Sequence, residues 1–251
     1  MGTVASLWRY PIKSHGREAL DAVPLIAGQT MPWDRHWAVV HADTKFDRTN
    51  PAWVMCRNFM IGNLTPALAG IWATLDDKTA TITLRHSALG EITFQPDDAA
   101  DVAKFIAWVM PLCPPDKRTP AGIVHLPDQG ITDTDYPSLS IMNMRSHAAV
   151  AAKINGPFEP ERWRGNIWID GVDAWTEWDW IGKTIAVGDT ILRVKARVVR
   201  CNHPAANTYT GKRDVDTLKV LRDTWNHQDF GVYAEVIQGG TVHLGDILKV
   251  N

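Results

Sequence analysis

Apolar residues along this chain recur mainly in short strand-like runs. Residues 4–10, 36–41, 81–84 and 92–94 are such runs, rich in β-branched and aromatic side chains. Asp76-Asp77-Lys78 reads as the turn joining paired strands at 71–75 and 79–85. Further strands are predicted at 167–169, 184–187, 191–199, 230–236 and 247–250, with Gly239-Gly240 as a hairpin turn between the last two.

The 3.6-residue period is rarer. Asp97 or Asp98 can cap a helix that places Val102, Phe105, Ile106 and Val109 on one face and stops before Pro111. Ser138 or Ser140 can cap a second, running through Ala148 to Ile154, with Gly156-Pro157 as the stop. Asp214 precedes Val215, Leu218, Leu221 and Trp225 at helical spacing, and residues 51–60, with Pro51 in the first turn, suggest a fourth helix. Many short strands with few helices predict a mainly β fold, a barrel whose ends the helices plug. The Pro-rich stretch 111–127 is the best boundary, giving halves at 1–120 and 121–251, intertwined rather than separate.

Charge narrows the function. Lys plus Arg number 26 against 28 Asp plus Glu, a net of −2, without the basic surplus of a nucleic-acid binder but with room for a local anion pocket. No apolar stretch reaches the roughly 18 residues needed to span a membrane, and MGTVASLWRYPIKS reads as a strand rather than a secretory leader. Three distant cysteines give no disulfide framework. A cytoplasmic protein with reduced thiols and no membrane or nucleic-acid partner is expected. The 12 Trp imply an aromatic core or wide apolar pockets.

Among the cysteines, Cys56 lies between large apolar neighbours and Cys113 in a Pro-rich loop, and both read as small buried hydrophobes. Cys201 follows a strand directly behind Arg200, with Arg197 three positions earlier, and a nearby guanidinium favours the thiolate that serves as nucleophile or metal ligand. Lys13 and Ser14 close the first strand with an ammonium and a hydroxyl, a pairing suited to phosphate or merely a solvated turn. Asp34-Arg35 is either a structural ion pair or a guanidinium fork oriented for an anion. Arg164 and Asn166 share one side if their segment is extended, with Gly165 admitting a ligand to the backbone. Cys201-Asn202-His203 lacks the second Cys/His pair of a zinc site, Glu177 and Asp179 read as a structural turn, and no phosphate-loop or dinucleotide motif occurs.

Four segments, YPIKS, WDRHWAV, RGNIWIDG with WTEWDWIG, and RVVRCNH followed by TGKRD, together resemble the MOSC family, the C-terminal domain of molybdenum cofactor sulfurase, preceded by its N-terminal β-barrel region. The layout is similar to that of the mitochondrial amidoxime-reducing component and its bacterial counterparts. The resemblance implies a molybdenum cofactor (molybdenum-molybdopterin), with Cys201 as the metal ligand and catalytic centre. It also implies that Lys13, Ser14 and Arg35 hold the pterin phosphate and that Arg164 and Asn166 approach the cofactor, with Arg200 beside them. Gly165 departs from the family's usual Pro, and Asn202-His203-Pro204 from a Thr-rich loop, on the side that meets substrate. The implied activity is reduction of small N-hydroxylated compounds with electrons from a separate transfer protein, since no iron–sulfur domain is appended. The alternative is a non-catalytic carrier of cofactor or persulfide sulfur.

Overall fold

A computed structural model describes residues 1–251. In chain order the elements are β1 (Gly2–Arg9), β2 (Glu18–Leu20), β3 (Ala22–Leu25), β4 (Trp37–His41), β5 (Trp72–Asp76), β6 (Thr81–His86), β7 (Gly90–Phe94), α1 (Ala99–Val109) and β8 (Pro120–His125). They continue with β9 (Leu139–Asn143), α2 (Met144–Ala151), β10 (Ile167–Asp170), β11 (Thr184–Val187), β12 (Thr190–Val199), α3 (Thr217–Trp225), β13 (Asp229–Gln238), β14 (Gly240–His243) and β15 (Ile247–Val250).

Seven strands close a barrel in the order β1-β10-β9-β13-β12-β11-β15, and β15 returns to β1. Only the β9–β10 neighbours run parallel. Alternate side chains fill the interior: Val4 and Leu7, Leu139 and Ile141, Ile167 and Ile169, Leu192 and Val194, Val232 and Ala234. A second body stands between β3 and β9 in the chain. Its β5-β6-β7 sheet buries Leu84 and Phe94 against Phe105 and Val109 of α1, and beside it β4 pairs with β8. The first strand thus belongs to the barrel of the C-terminal half, and β8 crosses residue 120 to pair with the N-terminal half. No helix is long and apolar enough to cross a membrane.

Several local expectations are corrected. Residues 139–143 form a strand, not the start of a helix, because they are buried on both faces between β10 and β13; Asn143, not a serine, caps α2 by accepting from Arg145 N. Residues 51–60 hold only a 3-10 turn, Cys56–Asn58. There Met60 N donates to Val39 O and Asn58 binds Lys45 N and Met55 O, which draws the chain along β4 instead of letting it coil. Gly239-Gly240 is no hairpin: β14 leaves the barrel to pair with β3. Asp216 caps α3, whereas Asp214 holds Arg162. Asp98 does cap α1, accepting from Asp101 N.

Candidate functional site

Backbone hydrogen bonds lace the distant motifs together. After β1 the chain turns so that Lys13 N donates to Trp37 O, while Trp37 N donates to Pro11 O and Arg35 N to Tyr10 O. Asp34 Oδ1 accepts from Tyr10 N at 2.9 Å. The segment before β9 joins through Ile131 N to Arg35 O, 2.7 Å. The turn before β10 joins through Tyr10 Oη, which donates to Gly165 O at 3.1 Å, and Arg200 Nη1 donates to Trp163 O at 2.7 Å. The result is a cavity of about 400 Å³ between barrel and second body, within the size range of small-molecule sites.

All of Lys13, Ser14, Arg35, Arg164, Asn166, Arg200 and Cys201 line this cavity. With Arg162 and Arg197 six basic residues line it, four of them ion-paired: Lys13 with Asp133, Arg35 with Asp34, Arg162 with Glu159 and Asp214, and Arg197 with Asp229. Arg164 and Arg200 have no carboxylate partner and give this concave place its positive character in a chain of net charge −2. Ser14, Arg35 and Arg164 each hold a left-handed backbone, φ of 64°, 51° and 53°. Such conformations are costly for residues with a Cβ and cluster where side chains must be aimed at a ligand.

The basic groups differ in partners. Lys13 Nζ donates to Ile131 O at 3.0 Å and Asp133 Oδ1 at 2.5 Å. Arg35 is paired with Asp34 and donates through Nη2 to Arg164 O, so the ion pair and the orienting role coincide. Its guanidinium and that of Arg164 both lie over the Tyr10 ring, at 4.9 and 4.2 Å. Arg164 has no carboxylate partner; burial, then the like charges of Arg35 and Arg17, lower it to about 9. It remains a cation at neutral pH.

Two candidates are held differently from expectation. Asn166 spends its amide inside the protein, Oδ1 accepting from Ser140 N and Oγ, and Nδ2 donating to Trp8 O. Arg200 is pinned by donations to Phe230 O, Trp163 O and Met142 Sδ. Both brace the wall. Arg164 is not on an extended segment but ends a 3-10 turn, and Gly165 admits no ligand: a Cβ there would lie 2.1 Å from Met142 Cγ.

The Cys201 thiol is exposed to solvent, though protein surrounds it closely enough that burial raises its pKa; Arg200 opposes this with a smaller effect. The thiolate is therefore not preformed. Cys56 is not a buried hydrophobe: it is exposed and lines the same cavity. Cys113 is half-buried, away from it. His203 also lines the wall, lowered to about 3 by burial and the neighbouring guanidinia, and its ring packs so close to Gly62 that a Cβ there would lie 1.9 Å from Nδ1. Arg17 stands behind the site as a buried cation donating to Ala69 O and Thr208 O, with its plane 3.9 Å over Trp72. Sequence reasoning missed Asp133, Arg17 and the place of Cys56. Asp133 sits in a polar TDTDY loop without a motif, and only the fold brings it to Lys13.

These features define a class: a β-barrel protein with a basic pocket that presents an accessible thiol. The MOSC N-terminal beta barrel domain model matches residues 1–110 and the MOSC domain model residues 128–249, so the chain belongs to the MOSC family. The YuaD protein from Bacillus subtilis is similar in fold over 100% of this chain and 96% of its own, at TM-score 0.50 and 15% identity. YiiM from Geobacillus stearothermophilus and YiiM from Escherichia coli align over 45% of this chain and 53% of theirs, each at TM-score 0.35 and 18% identity. No curated protein matches the chain.

Proposed function

We propose that this MOSC protein binds a molybdenum cofactor and acts as an oxidoreductase on N-hydroxylated compounds, with electrons delivered by a separate protein. The observation that carries the reading is the cavity wall itself, where Lys13, Ser14 and Arg35 of one half meet the unpaired Arg164 and Arg200 and the accessible Cys201 thiol of the other. The donor set suits a phosphate-bearing group with a thiophilic metal. Arg164 is a cation without a carboxylate, Ser14 adds a hydroxyl, and thiolate is the ligand type that soft metal centres prefer.

In this reading Lys13, Ser14 and Arg35 hold the phosphate, Arg164 faces the cofactor, and Asn166 and Arg200 keep the wall in register. When bound, the cofactor supplies a metal that exchanges two electrons and an oxygen atom with substrate. The chain's own contribution is electrostatic. The wall's cations are set against the charge of the phosphate, and Arg164 and Arg200 are the two that no carboxylate of the chain neutralises. Val199 and Tyr233 give the cavity apolar surface for the body of the substrate.

A second reading, a carrier of cofactor or persulfide sulfur, is favoured by Cys56, a second exposed thiol on the wall of the same cavity. Protein produced in a molybdenum-replete host decides between them. Stoichiometric molybdenum and pterin with conversion of an amidoxime to amidine, given a chemical reductant, supports the oxidoreductase. Loading without turnover favours the carrier, and a folded protein that loads nothing rejects both.

A further inference from the structure

Asp133 is the one carboxylate on the cavity wall, and its position is fixed from both sides. Gly130 N donates to Thr30 Oγ1 and Ile131 N to Arg35 O before it, and Thr132 Oγ1 donates to Thr134 O across it. Its Oδ1 binds Lys13 Nζ at 2.5 Å, while its Oδ2 accepts no hydrogen bond and the side chain is 55% exposed. Asp133 shares the cavity wall with Arg35, Arg200, His203, Tyr233 and both pocket thiols.

Lys13 is therefore already engaged before any anion arrives. An incoming anion must displace a carboxylate or lie beside one. Like charges placed together are strongly unfavourable in a partly desolvated site, whereas an N–H or O–H directed at the free carboxylate oxygen is favourable. We propose that Asp133 is a specificity-determining residue, which turns away small anions that carry no hydrogen-bond donor and admits phosphate esters that present an N–H or O–H beside their charge. This rests on the anion-pocket reading above and goes beyond it, because it says which anions the basic wall refuses.

Calorimetric titration with sulfate, a donor-free dianion, and with a pterin phosphate monoester tests it on wild-type protein, Asp133→Asn, Lys13→Gln and the double variant, each checked for fold by circular dichroism. Asp133→Ser removes the same charge should the Asn variant not fold. Asp133→Asn should bind sulfate about ten-fold more tightly or better, and the gain should shrink in the Lys13→Gln background. The pterin ester should gain less than sulfate, or lose. Sulfate affinity unchanged or weakened by Asp133→Asn overturns the proposal, as does an equal gain for both probes. If no variant binds either anion while the fold is intact, the anion-pocket reading itself fails, and the proposal falls with it.

Discussion

Burial raises the thiols of Cys56 and Cys201 above the usual range, and the Asp133 carboxylate raises both further, while Cys113 is raised by burial alone. Removing that one charge by Asp133→Asn therefore lowers the first two and leaves the third as an internal control. Alkylation by iodoacetamide at neutral pH, followed residue by residue by peptide mass spectrometry, should quicken several-fold at Cys56 and Cys201 and not at Cys113. A uniform change at all three would contradict this electrostatic assignment. Lys13, Ser14, Arg35 and Cys201 were legible in the sequence because each sits in a motif whose order could be recognised. Cys56 was not, since large apolar neighbours signal burial and give no hint that the segment runs past a cavity.

Met142 in β9 passes between Gly165 and Gly231, where added Cβ atoms would lie 2.1 Å from its Cγ and 2.3 Å from its Sδ. Its sulfur accepts from Arg200 Nη2 at 3.0 Å, so this packing holds the guanidinium next to the candidate metal ligand. Gly165→Ala should cost about 1–3 kcal/mol by overpacking, measured by urea denaturation, and an unchanged midpoint would remove the packing role. At this scale the short runs of β-branched and aromatic residues located most strands. β9 escaped because its residues run directly into α2 with no Gly or Pro to mark the boundary.

The pairing of β1 with β10 and β15 makes the barrel depend on the chain's first residues, a long-range contact that no local pattern signals. Across the molecule, burial keeps His15 and His147 neutral, each lowered from 6.5 to about 4. His15 Nδ1 donates to Lys13 O at 2.8 Å, just behind the site. Because these rings take up protons more readily when unfolded, their contribution is fully present above pH 6.5 and is lost as the pH falls toward 4. For His15 the loss is on the order of 3 kcal/mol. The Asp133 side chain is 55% exposed yet enclosed closely enough that desolvation opposes its charge; Lys13 and Arg35 outweigh this and hold it at about 2, so it stays ionised through that window. Urea midpoints should therefore fall between pH 6.5 and 4, and fall less in His15→Asn, whose amide can still donate to the Lys13 carbonyl. A flat profile would show that these histidines are not buried as described.

The claim that both halves of the chain build one cofactor pocket around a soft ligand is tested most directly by X-ray absorption at the molybdenum edge. Wild-type protein is compared with Cys201→Ser and Arg35→Ala, with pterin measured on the same samples. Serine replaces a thiolate with a hydroxyl that is barely ionised at neutral pH, so Cys201→Ser should lose one sulfur from the metal's coordination while retaining pterin. Arg35→Ala removes a charge-assisted hydrogen bond of roughly 1.5–3 kcal/mol, and should bind less cofactor with its sulfur coordination intact. Unchanged sulfur coordination in Cys201→Ser, or its loss in Cys56→Ser instead, would contradict the account.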